Sequence, residues 1–208
     1  SSLVGSEMCI RDRYMIDNQF IEVIIAPSFS EDAKNTFSKK PNIRLLISSA
    51  LNSNLIETKT SYGIKLTQMQ DNADPQNHDI KIVSNLEPSE SEEEDLIFAM
   101  KVAKHVKSNA IVLAKNKMTI GIGAGQMSRV ISTKIAFMKA KEEGLDASNC
   151  VLASDAFFPF RDNIDLAAEN GAKHIIQPGG SIRDQEVIDA INENDMTMAV
   201  TGIRHFKH

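Results

Sequence analysis

From residue 150 onward the chain switches repeatedly between two periodicities, with little sequence in between. Val151-Leu152-Ala153 is a short apolar run. Residues 163–169 have helical spacing and are stopped by Gly171, and 174–177 are apolar again. Residues 183–194 are amphipathic, and 196–200 repeat the strand pattern. Strands that alternate with helices predict a parallel sheet covered by helices, because a parallel strand can only be reached through a crossover. This order constrains the fold more than any other feature of the chain.

Upstream, residues 20–26 are β-branched and mostly apolar and read as a buried strand ended by Pro27-Ser28. Ser30-Glu31-Asp32 reads as a helix start, and 43–48 as a second strand. Residues 52–61 read as irregular, with strands at 64–69 and 80–83 around a polar loop, 70–79. The clearest helix is 89–107: Ser89 and Glu92 have capping-box spacing, acids crowd its start, and Lys101, Lys104 and Lys107 follow toward its end. Strands at 110–114 and 119–122 flank a turn at Lys115-Asn116-Lys117, and a helix at 128–143 is stopped by Gly144.

Composition narrows the functional classes. An apolar share of 42% over 208 residues fills one domain or two small ones. A net charge of −5 argues against a general nucleic-acid binder. Two cysteines, Cys9 and Cys150, give neither a disulfide framework nor a Cys-x-x-Cys metal pair, which suits a reducing, cytoplasmic setting. No apolar run reaches the ~18–20 residues of a membrane span. The opening 13 residues, SSLVGSEMCIRDR, lack either periodicity and resemble translated adaptor sequence. They are set apart from the fold, and Cys9 with them.

Aromatic residues are only 5% of the chain, yet three phenylalanines crowd Ala156-Phe157-Phe158-Pro159-Phe160-Arg161-Asp162. Such a turn can stack a flat heteroaromatic ligand while flanking charges orient it. It can equally fill core. Alternation predicts Phe157 and Phe160 flanking a cavity, with Phe158 turned into the core. Asp162 and Asp165 have the spacing of a helix cap. Gln177-Pro178-Gly179-Gly180-Ser181 is a second glycine turn. Gly121-x-Gly123-x-Gly125 follows a strand but lacks the spacing of a dinucleotide fingerprint or a Walker loop. Its glycines are expected to let a ligand approach the backbone. Lys104-His105 reads as helix-end chemistry, His78 as a solvated loop residue and His174 as structural. No His-x-Glu with Cys-x-x-Cys is present to hold a deaminase zinc.

Taken together, KSNAIVLAKN, GIGAGQMSR, SDAFFPFRDN, QPGGSIRD and the closing RHFKH resemble the bifunctional purine-biosynthesis family. That family joins aminoimidazole carboxamide ribonucleotide (AICAR) formyltransferase to IMP cyclohydrolase. The resemblance runs from about Phe20 to His208. It implies a cytidine-deaminase-like layered α/β/α domain with a mixed, largely parallel sheet and no zinc, working as a homodimer. It makes residues 14–208 the C-terminal part of the formyltransferase domain. The reaction implied is formyl transfer from 10-formyltetrahydrofolate to AICAR. By motif, Asn109, Arg129, Phe157 and Arg204 would hold AICAR, with Glu22 reaching it across the dimer interface. Val130, Asp162, Ser181 and Ile182 would contact the folate. The family's catalytic Lys-His pair belongs to a segment upstream of Phe20. Lys104-His105 lies in a different element, so this chain alone is expected to be inactive. The alternative is a stand-alone, non-catalytic nucleotide- or folate-binding α/β module.

Overall fold

The computed structural model describes residues 2–4, 21–48, 56–74 and 79–207. Cys9, Phe20, His78 and His208, with most of the adaptor-like segment, lie outside the described residues. The chain divides into two compact units, Ser1–Gln70 and Asp71–His208.

In the first unit, strands β1 (Ser2–Val4), β2 (Val23–Ala26) and β3 (Arg44–Ile47) form a parallel sheet in that order, which corrects the setting apart of the opening segment from the fold at Ser2–Val4. Helix α1 (Glu31–Phe37) connects β2 to β3. Its cap is Ser30, whose Oγ accepts the Ala33 N–H at 3.2 Å, with Glu31 and Asp32 in the first turn. Ile24, Ala26, Phe29, Ala33 and Phe37 make its core.

Strands β4 (Ile56–Ser61) and β5 (Ile64–Met69) form an antiparallel hairpin, which corrects the irregular reading over 56–61, while 52–55 lie outside the described residues. The turn is Tyr62-Gly63, both at positive φ (48° and 80°), as a two-residue hairpin loop requires. Every residue of the two strands is exposed, so no apolar face marked β4 in the sequence.

In the second unit a six-stranded sheet has the order β6-β11-β10-β9-β7-β8. Its members are β6 (Lys81–Ile82), β7 (Ile111–Lys115), β8 (Met118–Gly123), β9 (Cys150–Ser154), β10 (Ala172–Gln177) and β11 (Thr197–Val200). The expected alternation is present: β9, β10 and β11 are parallel, crossed by α4 (Asp162–Glu169) and α5 (Asp184–Glu193). β7 runs against both β9 and β8, and β6 against β11, so the sheet is mixed.

Both faces are covered, which explains why the strands read as continuous apolar runs. On one face Val112, Ala114, Val151, Ala153, Ile176 and Ala199 pack under α2 (Glu90–Ala103) through Leu96, Ala99, Met100 and Ala103. On the other, Ile111, Leu113, Leu152, Ile175 and Met198 meet α3 (Arg129–Glu142), α4 and α5. The result is a layered α/β/α arrangement. The capping box of α2 is formed, with the Ser89 N–H donating to Glu92 Oε2 at 2.6 Å. Asp95 on the same helix accepts the N–H groups of Asn116 and Lys117 at 2.7 and 2.6 Å, holding the β7–β8 turn.

The glycines of β8 serve packing, which corrects their reading as ligand approaches. A Cβ at Gly123 would stand 1.8 Å from the Ser132 carbonyl oxygen, and one at Gly121 would stand 2.1 Å from that of Ala136. Helix α3 therefore lies against β8 backbone to backbone. Gly123→Ala is expected to destabilise the protein by about 3 kcal/mol, because neither backbone can yield cheaply. Gly144→Ala, at φ +66° with nothing nearby, should cost about 1 kcal/mol. Urea unfolding of both variants checks the ranking, and a Gly123→Ala protein as stable as the parent would contradict the close approach.

Candidate functional site

Strand direction gathers the motifs at one edge of the sheet. β9, β10 and β11 end at Ser154, Gln177 and Val200, and each runs into a motif loop. Ile111, the first residue of β7, pairs with both Ser154 and Gly123. The approach to β7 through Ser108-Asn109 and the exit from β8 toward Arg129 thus reach the same edge. In open α/β sheets this carboxyl edge is where ligands bind.

Asp155, fully buried, is the centre of the cluster. Its Oδ1 accepts from Arg129 Nη2 at 3.0 Å, and its Oδ2 accepts from the Ser108 hydroxyl. Its backbone carbonyl accepts the His205 N–H at 3.0 Å. Arg129, the first residue of α3 and almost as buried, also donates Nη2 to Asn109 Oδ1 at 2.9 Å and Nη1 to the Phe157 carbonyl at 3.3 Å. A cation at a helix N-terminus faces the wrong end of the dipole, so the Asp155 carboxylate is what makes Arg129 tolerable there. The Arg129 Nε is buried without a partner.

Asn109 is fixed from both sides. Its Nδ2 donates to the Gln126 carbonyl at 2.8 Å, and its own carbonyl accepts from Ser132 Oγ at 2.8 Å. Residues Ser108 and Lys207 exchange bonds, Ser108 N–H to the Lys207 carbonyl at 2.9 Å and Lys207 N–H to Ser108 Oγ at 3.2 Å. The Arg204 guanidinium lies 4.8 Å from the centre of the Phe157 ring, a cation–π contact. Four residues selected by motif, Asn109, Arg129, Phe157 and Arg204, are therefore neighbours.

Phe158 is buried in the core, as alternation predicts, and its N–H donates to Gln177 Oε1 at 2.9 Å. Phe157 is half-buried, and Phe160 is exposed with Arg183 over its ring at 4.8 Å. The reading of Asp162 as N-cap is corrected. Arg161 holds the cap position in helical geometry, and its guanidinium takes Asp165 at 3.0 and 3.1 Å, so no reciprocal 162/165 cap forms. Asp162 is the first helical residue, exposed, accepting from Asn163 Nδ2 at 3.1 Å.

Val130 follows Arg129 on α3 and is half-buried. Ser181 and the exposed Ile182 stand on the glycine turn, which Asp184 closes by accepting the Gly180 and Ser181 N–H groups at 2.7 and 3.1 Å. Beside that turn is a cleft of about 480 Å³ lined by Gln177, Gly179, Asp184, Val200 and Ile203 among others. Glu22 is exposed in the first unit, its carbonyl accepting the Arg44 N–H at 2.9 Å.

Sequence reasoning gave no role to Asp155, Ser108, Asp71 or His205. The available signal was Asp155 itself, a carboxylate set directly after five buried strand residues. His205 is buried, with Nδ1 2.6 Å from Asp71 Oδ2 and Nε2 without a partner. The Asp71 carboxyl lies below its ordinary value. Burial raises it, but the His205 hydrogen bond, the Ala73 N–H and the Lys104 charge outweigh that.

Lys104 caps α2, donates to the Ala73 carbonyl at 2.8 Å and stands 3.9 Å from Asp71. His105 is pushed down by burial, then by the charges of Lys104 and Lys207. His174 is held between Thr197 at 2.9 Å and Glu92 at 3.2 Å. Burial pushes the Cys150 thiol up to about 12, which makes it a poor nucleophile. Among the described residues no group of three or more His, Cys, Asp or Glu is placed to hold a metal ion. Among them, too, no helix is long and apolar enough to cross a membrane.

The model of one family, the AICARFT/IMPCHase bienzyme, matches residues 10–139. The chain belongs to that family. The match contains Asn109 and Arg129, while Phe157 and Arg204 lie beyond it. A solved structure of a diaminohydroxyphosphoribosylaminopyrimidine deaminase/5-amino-6-(5-phosphoribosylamino)uracil reductase from Thermotoga maritima is similar at 16% identity and a TM-score of 0.37. The similarity covers 54% of this chain and 35% of that one, so it spans about a third of that protein's length.

Removing one partner of a buried ion pair strands the other, at about 3–5 kcal/mol. Arg129→Met is therefore expected to lower unfolding free energy by about 3 kcal/mol, read by urea denaturation. A loss below about 1 kcal/mol, the range of exposed pairs, would show that Asp155 is not held as described.

Proposed function

We propose that this chain binds AICAR and 10-formyltetrahydrofolate for formyl transfer, one of the two activities of its family. The observation that carries the reading is the convergence of Asn109, Arg129, Phe157 and Arg204 from four separate motifs onto one carboxyl edge. In this reading the aminoimidazole ring stacks on Phe157. Arg204, already placed over that ring, pairs with the ribonucleotide phosphate through charge-assisted hydrogen bonds. Asn109 and the unpartnered Nε of Arg129 supply polar contacts to the carboxamide side.

The exocyclic amine of AICAR is a poor nucleophile because its lone pair is delocalised into the ring. Transfer then depends on close placement of amine and formyl carbon, proton removal and stabilisation of the developing charge. The fixed Asn109–Arg129–Asp155 network supplies rigidity for placement. Val130, Asp162, Ser181 and Ile182 are the proposed folate contacts. The half-buried Val130 and exposed Ile182 offer apolar surface, and Asp162 an acceptor for the donors of a pterin. Glu22 is proposed to act across the interface of a homodimer. Proton removal is not assigned to Lys104-His105, whose lysine is engaged with Ala73 and Asp71.

Titration calorimetry with AICAR tests the reading. Arg204→Ala is expected to weaken AICAR binding by about tenfold to hundredfold, as for loss of a hydrogen bond to a charged group. Binding of a 10-formyltetrahydrofolate analogue should change by less than about threefold. Equal losses for both ligands, or none, would contradict the assignment.

A further inference from the structure

We infer that Asp71 and His205 form a positioning clasp that orders the C-terminal segment and so sets Arg204 over Phe157. Among residues 203–207 His205 alone is buried. Its ring is anchored to Asp71, 134 residues away in sequence, at 2.6 Å. Asp71 is itself immobilised: Oδ1 accepts the Ala73 N–H at 3.1 Å and faces Lys104 at 3.9 Å, while Lys104 also holds the Ala73 carbonyl at 2.8 Å. The clasp thus refers the tail to the end of α2. The Nε2 of His205 has no partner, and a buried N–H without an acceptor is costly. The proton therefore belongs on Nδ1, donated to Asp71, and the ring has one defined orientation. His205 N–H donates to the Asp155 carbonyl, so the residue ties three elements together immediately beside Arg204. Arg204 itself is exposed and has a long flexible side chain, and fixing its backbone removes part of the entropy lost on binding an anion.

The functional half of this inference rests on the AICAR reading above. The test uses the full chain and two independent readouts. Hydrogen exchange at the His205 and Lys207 amides should rise at least about tenfold in Asp71→Ala, because their protection requires the ordered tail. AICAR affinity should fall about tenfold in the same variant, with folate-analogue affinity unchanged. In an Arg204→Ala background Asp71→Ala should cost nothing further, since the clasp acts through Arg204. Asp71→Asn, which keeps an acceptor for Nδ1–H, should restore most of both signals, and should Asp71→Ala fail to fold, His205→Phe, which keeps a buried ring but has no Nδ1–H, takes its place with the same expected losses. Unchanged exchange overturns the clasp. An equal AICAR loss with and without Arg204, or a matching folate loss, overturns its positioning role. A parent chain that binds no AICAR overturns the functional reading and this role with it, while exchange still decides the clasp.

Discussion

The buried carboxylate of Asp155 organises the carboxyl edge of the second unit. A charge with no solvent access must be matched by charge and hydrogen bonds or it cannot be retained. Arg129 and Ser108 supply both, and they come from the two sides of the β7–β8 hairpin. Once Arg129 is drawn there, its other donors reach Asn109 and Phe157. The backbone of Asp155 meanwhile receives His205 from the far end of the chain. One desolvated charge thereby fixes the relative positions of segments that are distant in sequence. Such a network is rigid because its shared hydrogen bonds form together only in one arrangement.

The layered sheet was legible in the sequence because its strands are buried on both faces and its helices on one. Apolar runs of 4–8 residues and a helical stripe are signals that tertiary contact reinforces. The exposed strand β4 carried no such signal and was missed. Gly121 and Gly123 were misread for a related reason. A glycine that admits a ligand and one that admits a helix backbone look the same in one dimension, and only the Ser132 and Ala136 carbonyls distinguish them. Asp162 was misplaced by one residue because Arg161 claims Asp165, a contact that competes with capping.

The residues that meet at the carboxyl edge were legible through their motifs, but their supports were not. Asn109, Arg129, Phe157 and Arg204 stand in segments whose resemblance names them. Asp71 lies in a polar loop with nothing in its surroundings to single it out, and its partner is 134 residues away. Gln177 and Asp184 likewise act on backbone N–H groups of the aromatic and glycine turns. Contacts of this kind have no spacing rule, so they appear only when the fold is in hand. They also show why the motif loops can be ordered while carrying exposed Phe160 and Ile182 at their tips.

The central claim is that the Asp155 network presents Asn109, Arg129, Phe157 and Arg204 as one nucleotide site. A crystal structure of the chain with AICAR bound tests it most directly. The expected result is the base stacked at about 3.5–4 Å on Phe157. The phosphate should lie within about 3 Å of the Arg204 guanidinium, with Asn109 or Arg129 in hydrogen-bond contact. AICAR seated away from Phe157, with its phosphate held by other cations, would contradict it.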